Sequence, residues 1–93
     1  MLEKYIVAQL GELFKAVLIW HHSESNTYEV AQFHLHKDEY ECLEQGLDQV
    51  SDYEGRWEPL PNADAEYNDY EDTHHIFERF ISTFSGKIAL EVQ

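Results

Sequence analysis

Almost all of the net charge of this chain lies in one stretch of its middle third. The stretch from Asp38 to Asp72 holds 13 of the 19 acidic residues and one basic residue, Arg56, and so carries a formal charge of −12 out of −13. The segments before and after it have net charges of −1 and 0 and resemble ordinary core-forming sequence. Because unpaired charges are costly to bury, we expect the core to come mainly from these two flanks.

Length and composition indicate one globular domain, spanning residues 1–93. A hydrophobic content of 43% is well above the range of disordered chains. The lone cysteine, Cys42, excludes an internal disulfide and a multi-cysteine zinc site, and it fits a reducing environment. The sequence shows no signal peptide and no run approaching the ~20 apolar residues of a membrane span. These features together predict a cytoplasmic protein.

The first apolar pattern of the chain lies between Leu2 and Phe14. Apolar residues recur there at steps of three and four, which is the spacing of one face of a helix. Gly11 weakens this interpretation, because glycine costs about 1 kcal/mol relative to alanine inside a helix. We therefore predict a helix over Leu2–Phe14, with a strand in its first part as the alternative.

Two strands are predicted to follow as a hairpin. Residues 15–21 form a short apolar run of β-forming residues, and residues 28–36 alternate between apolar and polar positions. The polar segment between them is the expected turn. Along the second strand, Ala31, Phe33 and Leu35 would face the core. The residues expected on the other face are Tyr28, Val30, Gln32, His34 and His36.

A second helix is predicted from Asp38 to Glu54, at the start of the acidic stretch. Asp38 and Glu41 have the spacing of a capping box, and Gly55 is placed to end the helix. Its buried stripe would consist of Tyr40, Leu43, Leu47 and Val50, with Tyr53 at the end.

The rest of the chain predicts a loop, a helix and a strand. Residues 56–72 have no clear period and contain two prolines, which favours a long loop. Asp72 or Thr73 would cap a third helix that stops at Gly86, and a strand would cover Lys87–Val92. The apolar stripe of this helix would consist of Ile76, Phe77, Phe80, Ile81 and Phe84. The sequence thus predicts an α+β fold, in which a small, mainly antiparallel three-stranded sheet carries about three helices on one face. The expected order is helix, strand, strand, helix, acidic loop, helix, strand.

No pattern typical of an active site is found in the sequence. The four glycines are scattered rather than gathered into a phosphate-binding loop, and no serine lies in a nucleophile motif. The acidic neighbours of Cys42 would raise the pKa of its thiol, which disfavours a reactive thiolate. We therefore predict that the protein is not an enzyme and uses no cofactor.

The six histidines occur in three close pairs, one of which has a spacing found in metal sites. His34 and His36 would lie on the same face of a strand. The other pairs are His21–His22, at the opposite end of the predicted hairpin, and His74–His75, at the start of the third helix. A histidine-based metal-binding or small regulatory domain is therefore an alternative to the main hypothesis.

The acidic stretch is either a solvated surface or a binding surface for another protein. The predicted helix from Asp38 has almost no basic residues, so like charges replace the ion pairs that stabilise helices at i to i+4 spacing. Tyrosine and tryptophan side chains interleaved with the carboxylates are typical of interfaces. The predicted charged contacts are Glu41, Glu44, Asp48, Asp52, Glu54, Asp64, Glu66, Asp69, Glu71 and Asp72. The predicted aromatic anchors are Tyr53, Trp57, Tyr67 and Tyr70.

The main hypothesis is an acidic inhibitor or interaction protein with a basic partner, most simply a nuclease or another nucleic-acid-binding protein. Rows of carboxylates can occupy the positions of phosphates and meet Lys and Arg side chains, as in nucleic-acid mimics, anti-defence proteins and toxin-immunity proteins. The same charge argues against direct binding to nucleic acid or to an anionic membrane. A homo-oligomeric structural subunit is a further alternative, and the predicted state is a monomer or a homodimer.

Overall fold

The computed structural model describes residues 1–61, 66–84 and 87–92, with side chains for the first two ranges. The strands are β1 (Leu2–Leu10), β2 (Leu13–His22), β3 (Thr27–Leu35), β4 (Glu58–Pro59), β5 (Glu66–Tyr67) and β6 (Lys87–Val92). The helices are α1 (Lys37–Glu44), a 3₁₀ helix (Val50–Arg56) and α2 (Tyr70–Ile81). Among the described residues, no helix has the length and apolar character needed to cross a membrane.

The described strands form one antiparallel sheet. Its order is β4-β3-β2-β1-β6, and β5 also pairs with β3. The predicted α+β class and the antiparallel pairing are therefore confirmed. The predicted strand count and element order are wrong, because the chain begins with a strand and the acidic stretch adds two short ones.

Residues 2–14 were predicted to form a helix, and they instead form β1, a tight turn and the start of β2. Leu10 pairs with Leu13 across the turn, where Gly11 has a φ of 68°. Side chains of successive strand residues point to opposite faces, and here Tyr5 and Val7 are buried on one face while Ile6 is buried on the other. A strand buried on both faces shows no simple alternation of apolar and polar residues. Its apolar spacing therefore also fitted a helix.

The hairpin predicted for residues 15–36 is confirmed. β2 and β3 pair in continuous register from Phe14 and Leu35 to His22 and Thr27. Asn26, in the turn, has a φ of 55°, a conformation that asparagine tolerates better than most residues. Ala31, Phe33 and Leu35 share one buried cluster, as predicted.

The sheet is covered on both faces, whereas helices on a single face were predicted. One face, called the α1 side below, packs against Leu43 of α1 and against Val50 and Tyr53 of the 3₁₀ helix. The opposite face, called the α2 side, packs against Phe77 of α2 and against Leu60. The second cover is needed because the α2 side also carries apolar strand residues that are completely buried: Ile6, Val17, Ile19 and Val30.

The helix predicted from Asp38 to Glu54 is interrupted after Glu44. Gly46 has a φ of 78°, and its N–H donates to the carbonyl of Leu43, so it ends α1 before Gly55 is reached. Leu47, predicted in the buried stripe, lies beyond this break and is 71% exposed. The helix also begins earlier than predicted. His36 rather than Asp38 is the N-terminal cap residue, and its N–H donates to Glu39 at 2.9 Å.

The third helix and the last strand are both present. α2 begins earlier than predicted, at Tyr70, because Asp69 rather than Asp72 or Thr73 is the cap residue, and its side chain accepts the N–H of Glu71. It ends at Ile81, and Gly86, its predicted end, lies outside the described residues. β6 covers the predicted residues and pairs with β1.

Candidate functional site

The fold divides the predicted charged contacts into two main groups. The first, called the α1 acidic group, consists of Glu41, Glu44, Asp48, Asp52 and Glu54, on α1, the 3₁₀ helix and the loop between them. The second, called the α2 acidic group, consists of Asp69, Glu71 and Asp72, at the start of α2. Glu66 lies in β5, and Asp64 lies outside the described residues. The two groups belong to helices that cover opposite faces of the sheet.

The α1 acidic group is short of positive charge. Arg56 is the one basic residue of the whole acidic stretch, and its guanidinium donates to both carboxylate oxygens of Glu39, at 2.9 and 2.7 Å. That pairing lowers the pKa of Glu39 and raises the pKa of Arg56. Within the described part of the chain, no ion pair joins any member of the α1 acidic group to a basic residue. Arg56 is therefore already neutralised, and Lys37, the first residue of α1, makes no ion pair with a member of the group.

Glu41 and Glu44 lie where a helix disfavours negative charge. Both are in the last turn of α1, which contains no basic residue. The helix dipole places partial negative charge at that end, so carboxylates there are destabilising by a few tenths of a kcal/mol each. The hydroxyl of Tyr40 donates to Glu44 at 2.9 Å, which offsets part of that cost for one of them. The dipole of α1 disfavours Glu41 at this position, and Lys37, four residues earlier on the same helix, makes no ion pair with it.

Asp48 and Asp52 have structural partners as well as charge. Asp48 accepts a hydrogen bond from the hydroxyl of Tyr53, and burial together with this hydrogen bond raises the pKa of Tyr53. Asp52 accepts the N–H of Gln49 at 2.8 Å, at the start of the 3₁₀ helix. Substituting either aspartate would therefore disturb the fold. Glu41 and Glu54 are the members whose substitution tests charge alone.

The predicted aromatic anchors differ in their exposure. Tyr53 is only 9% exposed and stacks on Phe33 with ring centroids 5.6 Å apart, so it belongs to the core and cannot serve as a surface anchor. Trp57 and Tyr67 are half-buried. Tyr70 is 39% exposed and contacts the edge of Tyr28.

The exposed apolar residue of the α1 side is one that the sequence pattern assigned to the core. Leu47 follows the turn at Gly46, and its N–H donates to the carbonyl of Cys42 at 2.9 Å. This bond fixes the loop against the end of α1, between Glu44 and Asp48 in sequence. The glycine at position 46 was the available signal, because it allows the positive φ that ends the helix before Leu47. Leu47 thus adds a fixed apolar contact to the α1 acidic group.

The α2 acidic group is explained by the helix that it begins. Asp69 Oδ1 accepts the N–H of Glu71 at 2.8 Å, and the backbone carbonyl of Asp69 accepts the hydroxyl of the buried Thr73 at 2.7 Å. Glu71 and Asp72 lie in the first turn of α2, where the helix dipole favours negative charge. These carboxylates stabilise the fold without needing a partner.

The histidines are placed apart in the structure. His34 is exposed on β3, opposite Lys15 of β2, whereas His36 caps α1 and lies beyond the end of the strand. His21 stacks on Tyr28, and His74 lies 3.3 Å from both Lys4 and Glu78. In the described ranges, no three His, Cys, Asp or Glu side chains are grouped so as to hold a metal ion. Burial and the neighbouring Asp48 raise the pKa of the Cys42 thiol.

Comparison of the chain with protein-family models, with curated proteins and with solved structures finds no match in any of the three.

Proposed function

We propose that this chain is a non-enzymatic interaction protein whose α1 side binds a basic surface of another protein. The observation that carries the proposal is the position of Glu41. It lies in the last turn of α1, which contains no basic residue, and it has no ion pair with a described residue. Natural proteins tolerate locally destabilising residues where function requires them. Here the required function is attraction of positive charge, and the partner's Lys and Arg side chains would supply the missing cations.

The remaining α1 acidic group and Leu47 support the same role. Carboxylates distributed over a surface speed the encounter with a basic partner and determine its orientation. An exposed leucine among them offers an apolar contact that charge alone does not provide. Among the basic proteins of a cell, those that handle nucleic acid have surfaces built to meet rows of negative charge. A nuclease or another nucleic-acid-binding protein is therefore the partner class that we propose, in a cytoplasmic setting.

The test compares two variants that change the net charge equally on opposite sides of the sheet. Glu41→Lys/Glu54→Lys reverses charge on the α1 side, and Glu71→Lys/Asp72→Lys does so at the start of α2. Each immobilised protein is exposed to host lysate at low and at high salt, and the bound proteins are identified by mass spectrometry. Circular dichroism confirms that each variant is folded.

The proposal predicts that wild type and the α2 variant retain the same basic proteins at low salt. The α1 variant should lose them, and high salt should release them from all proteins, because salt screens exposed charges. Retention of the same set by the α1 variant would show that the α1 acidic group is a solvated surface only.

A further inference from the structure

Both tryptophans of the chain meet on the α1 side of the sheet. Trp20 of β2 and Trp57, which follows the 3₁₀ helix, have ring centroids 5.4 Å apart with planes inclined by 59°. Both side chains are half-buried and pack at the edge of the core cluster of that side. Trp20 also lines an open depression of about 400 Å³ beside the turn between β2 and β3. The indole of Trp20 is thus accessible to a ligand that enters this depression.

Two glutamates lie beside Trp20 on neighbouring strands of the sheet. Trp20 pairs with Glu29 across β2 and β3, and Glu29 pairs with Glu66 across β3 and β5. Directly paired residues share a face of the sheet, so Glu29 and Glu66 lie on the same side as Trp20. Like charges in this relation are destabilising. The pair is therefore another place where the chain accepts repulsion between its own carboxylates.

The carboxylates differ in what they already bind. Glu29 lies 2.9 Å from Nε2 of His22, which also lines the depression. Glu66 and Glu24, two further residues of the lining, have no ion pair with a described residue. The amino group of Met1, also in the lining, donates to the carbonyl of His21 at 2.7 Å. Negative charge therefore exceeds positive charge in and beside the depression.

We infer that this depression receives an arginine side chain of the basic partner, with its guanidinium against Trp20 and its N–H groups directed to Glu66. A cation over an indole face is stabilised by the ring electrons, and tryptophan is the strongest such partner. A guanidinium is planar, stacks on aromatic rings and donates to carboxylates in a fork, whereas an ammonium is a strongly hydrated point charge. The combination of indole and carboxylate therefore favours arginine over lysine.

This inference depends on the proposed function for the existence of a basic partner, but it concerns different residues. The α1 acidic group would supply general attraction of positive charge. The depression would supply selection for one kind of side chain. A partner surface rich in arginine would thus be preferred over one of equal charge that is rich in lysine.

The experiment is a titration followed by ¹H–¹⁵N nuclear magnetic resonance at low salt. The chain has two tryptophans, so its two indole N–H signals both report on this region. The probes are three glycine–serine peptides of one sequence that carry a single arginine, lysine or citrulline. Citrulline keeps the shape of arginine without its charge. The arginine peptide should shift both indole signals, the lysine peptide should shift them less, and the citrulline peptide should leave them in place.

A matched pair of variants locates the effect. Glu66→Gln should weaken binding of the arginine peptide about fivefold, the consequence expected for the loss of one exposed ion pair. Glu54→Gln, which removes the same charge from the 3₁₀ helix, should leave the affinity unchanged. Equal shifts with the citrulline peptide, or an affinity that Glu66→Gln does not alter, would overturn the inference.

The two proposals can fail separately. If the arginine peptide binds but the α1 variant keeps its lysate partners, the depression remains a site and the α1 acidic group is not one. If the peptide does not move the indole signals but the α1 variant loses its partners, the inference about the depression is wrong and the proposed function remains.

Discussion

The two acidic groups have the same sign of charge and opposite relations to the helices that carry them. Asp69, Glu71 and Asp72 lie at the beginning of α2, where the helix dipole and the exposed N–H groups favour negative charge. Glu41 and Glu44 lie at the end of α1, where the same dipole disfavours it. Charge density along the sequence is therefore a poor guide to function, and the position of each carboxylate on its helix is a better one.

The two groups also differ in the contacts that their carboxylates make within the chain. Asp69 has a backbone N–H and a capping role, so its carboxylate is accounted for by folding. The side chain of Glu41 has no corresponding contact among the described residues. Arg56 is held by Glu39, and Lys37 makes no ion pair with Glu41. This contrast supports the assignment of function to the α1 side and of stability to the α2 group.

The largest expected effect tests whether the α2 acidic group stabilises the fold. Asp69→Ala should destabilise the protein by about 1 kcal/mol, the usual cost of removing a helix cap. Asp69→Asn keeps a side-chain oxygen that can accept the N–H of Glu71, and should recover most of the loss. Urea unfolding followed by circular dichroism measures both variants. If asparagine fails as badly as alanine, the carboxylate acts through its charge rather than through the cap.

The sequence correctly predicted two parts of the fold, the hairpin of β2 and β3 and the helix α2, from local patterns alone. The hairpin of β2 and β3 was recognised from the alternation around Ala31, Phe33 and Leu35, which face the α1 side as expected. The apolar stripe of α2 was recognised from its helical spacing, and Phe77 at its centre is completely buried. In both places the local pattern and the tertiary environment agree.

The misplaced elements are those whose environment depends on distant parts of the chain. β1 is buried on both faces, and that requires α2, some 70 residues further on, to cover Ile6. Its residues carry no alternation that would reveal this arrangement. The break in α1 depended on Gly46 adopting a positive φ, and the pattern of Leu43, Leu47 and Val50 outweighed that signal.

The candidate surface was predicted in its charge but not in its apolar contacts. Of the members assigned to it, Tyr53 is part of the core, whereas Leu47, predicted in a buried stripe, is exposed. The break in the helix changes which side of the chain faces solvent after Gly46. The role of Trp20 was not predicted, because its contact with Trp57 joins residues that are far apart in sequence.

The second prediction concerns Glu39, a carboxylate on the α1 side that is paired with Arg56. The bonds from Arg56 lower the pKa of Glu39 below its ordinary value of 4.5. A carboxylate with a lowered pKa in the folded state stabilises that state above its ordinary pKa, and this contribution is lost as pH falls through the lowered value. The free energy of unfolding should therefore decrease below about pH 4.5, and Glu39→Gln should flatten that decrease.

The control for this titration is Glu54→Gln, which removes a nearby charge without removing a partner of Arg56. Urea unfolding at a series of acidic pH values gives the slopes for the three proteins. A decrease that Glu39→Gln leaves as steep as in wild type would show that the Glu39–Arg56 pair contributes nothing measurable.

The smallest expected effect tests the comparison most directly. The same substitution, glutamate to glutamine, should change the free energy of unfolding in opposite directions in the two helices. Glu41→Gln removes a charge from the last turn of α1 and should stabilise the protein by a few tenths of a kcal/mol, roughly 0.3. Glu71→Gln removes a charge from the first turn of α2 and should destabilise it by about the same amount. Both residues are exposed, and both substitutions preserve size and helix-forming tendency. Urea unfolding in low salt, where helix-end charges are least screened, measures the free energy of unfolding of both variants. The difference between the two variants is larger than the change in either one, so it is easier to resolve. Equal effects of the same sign would mean that the two groups respond to overall charge and not to their helices, and the position of Glu41 would then lose its value as a sign of function.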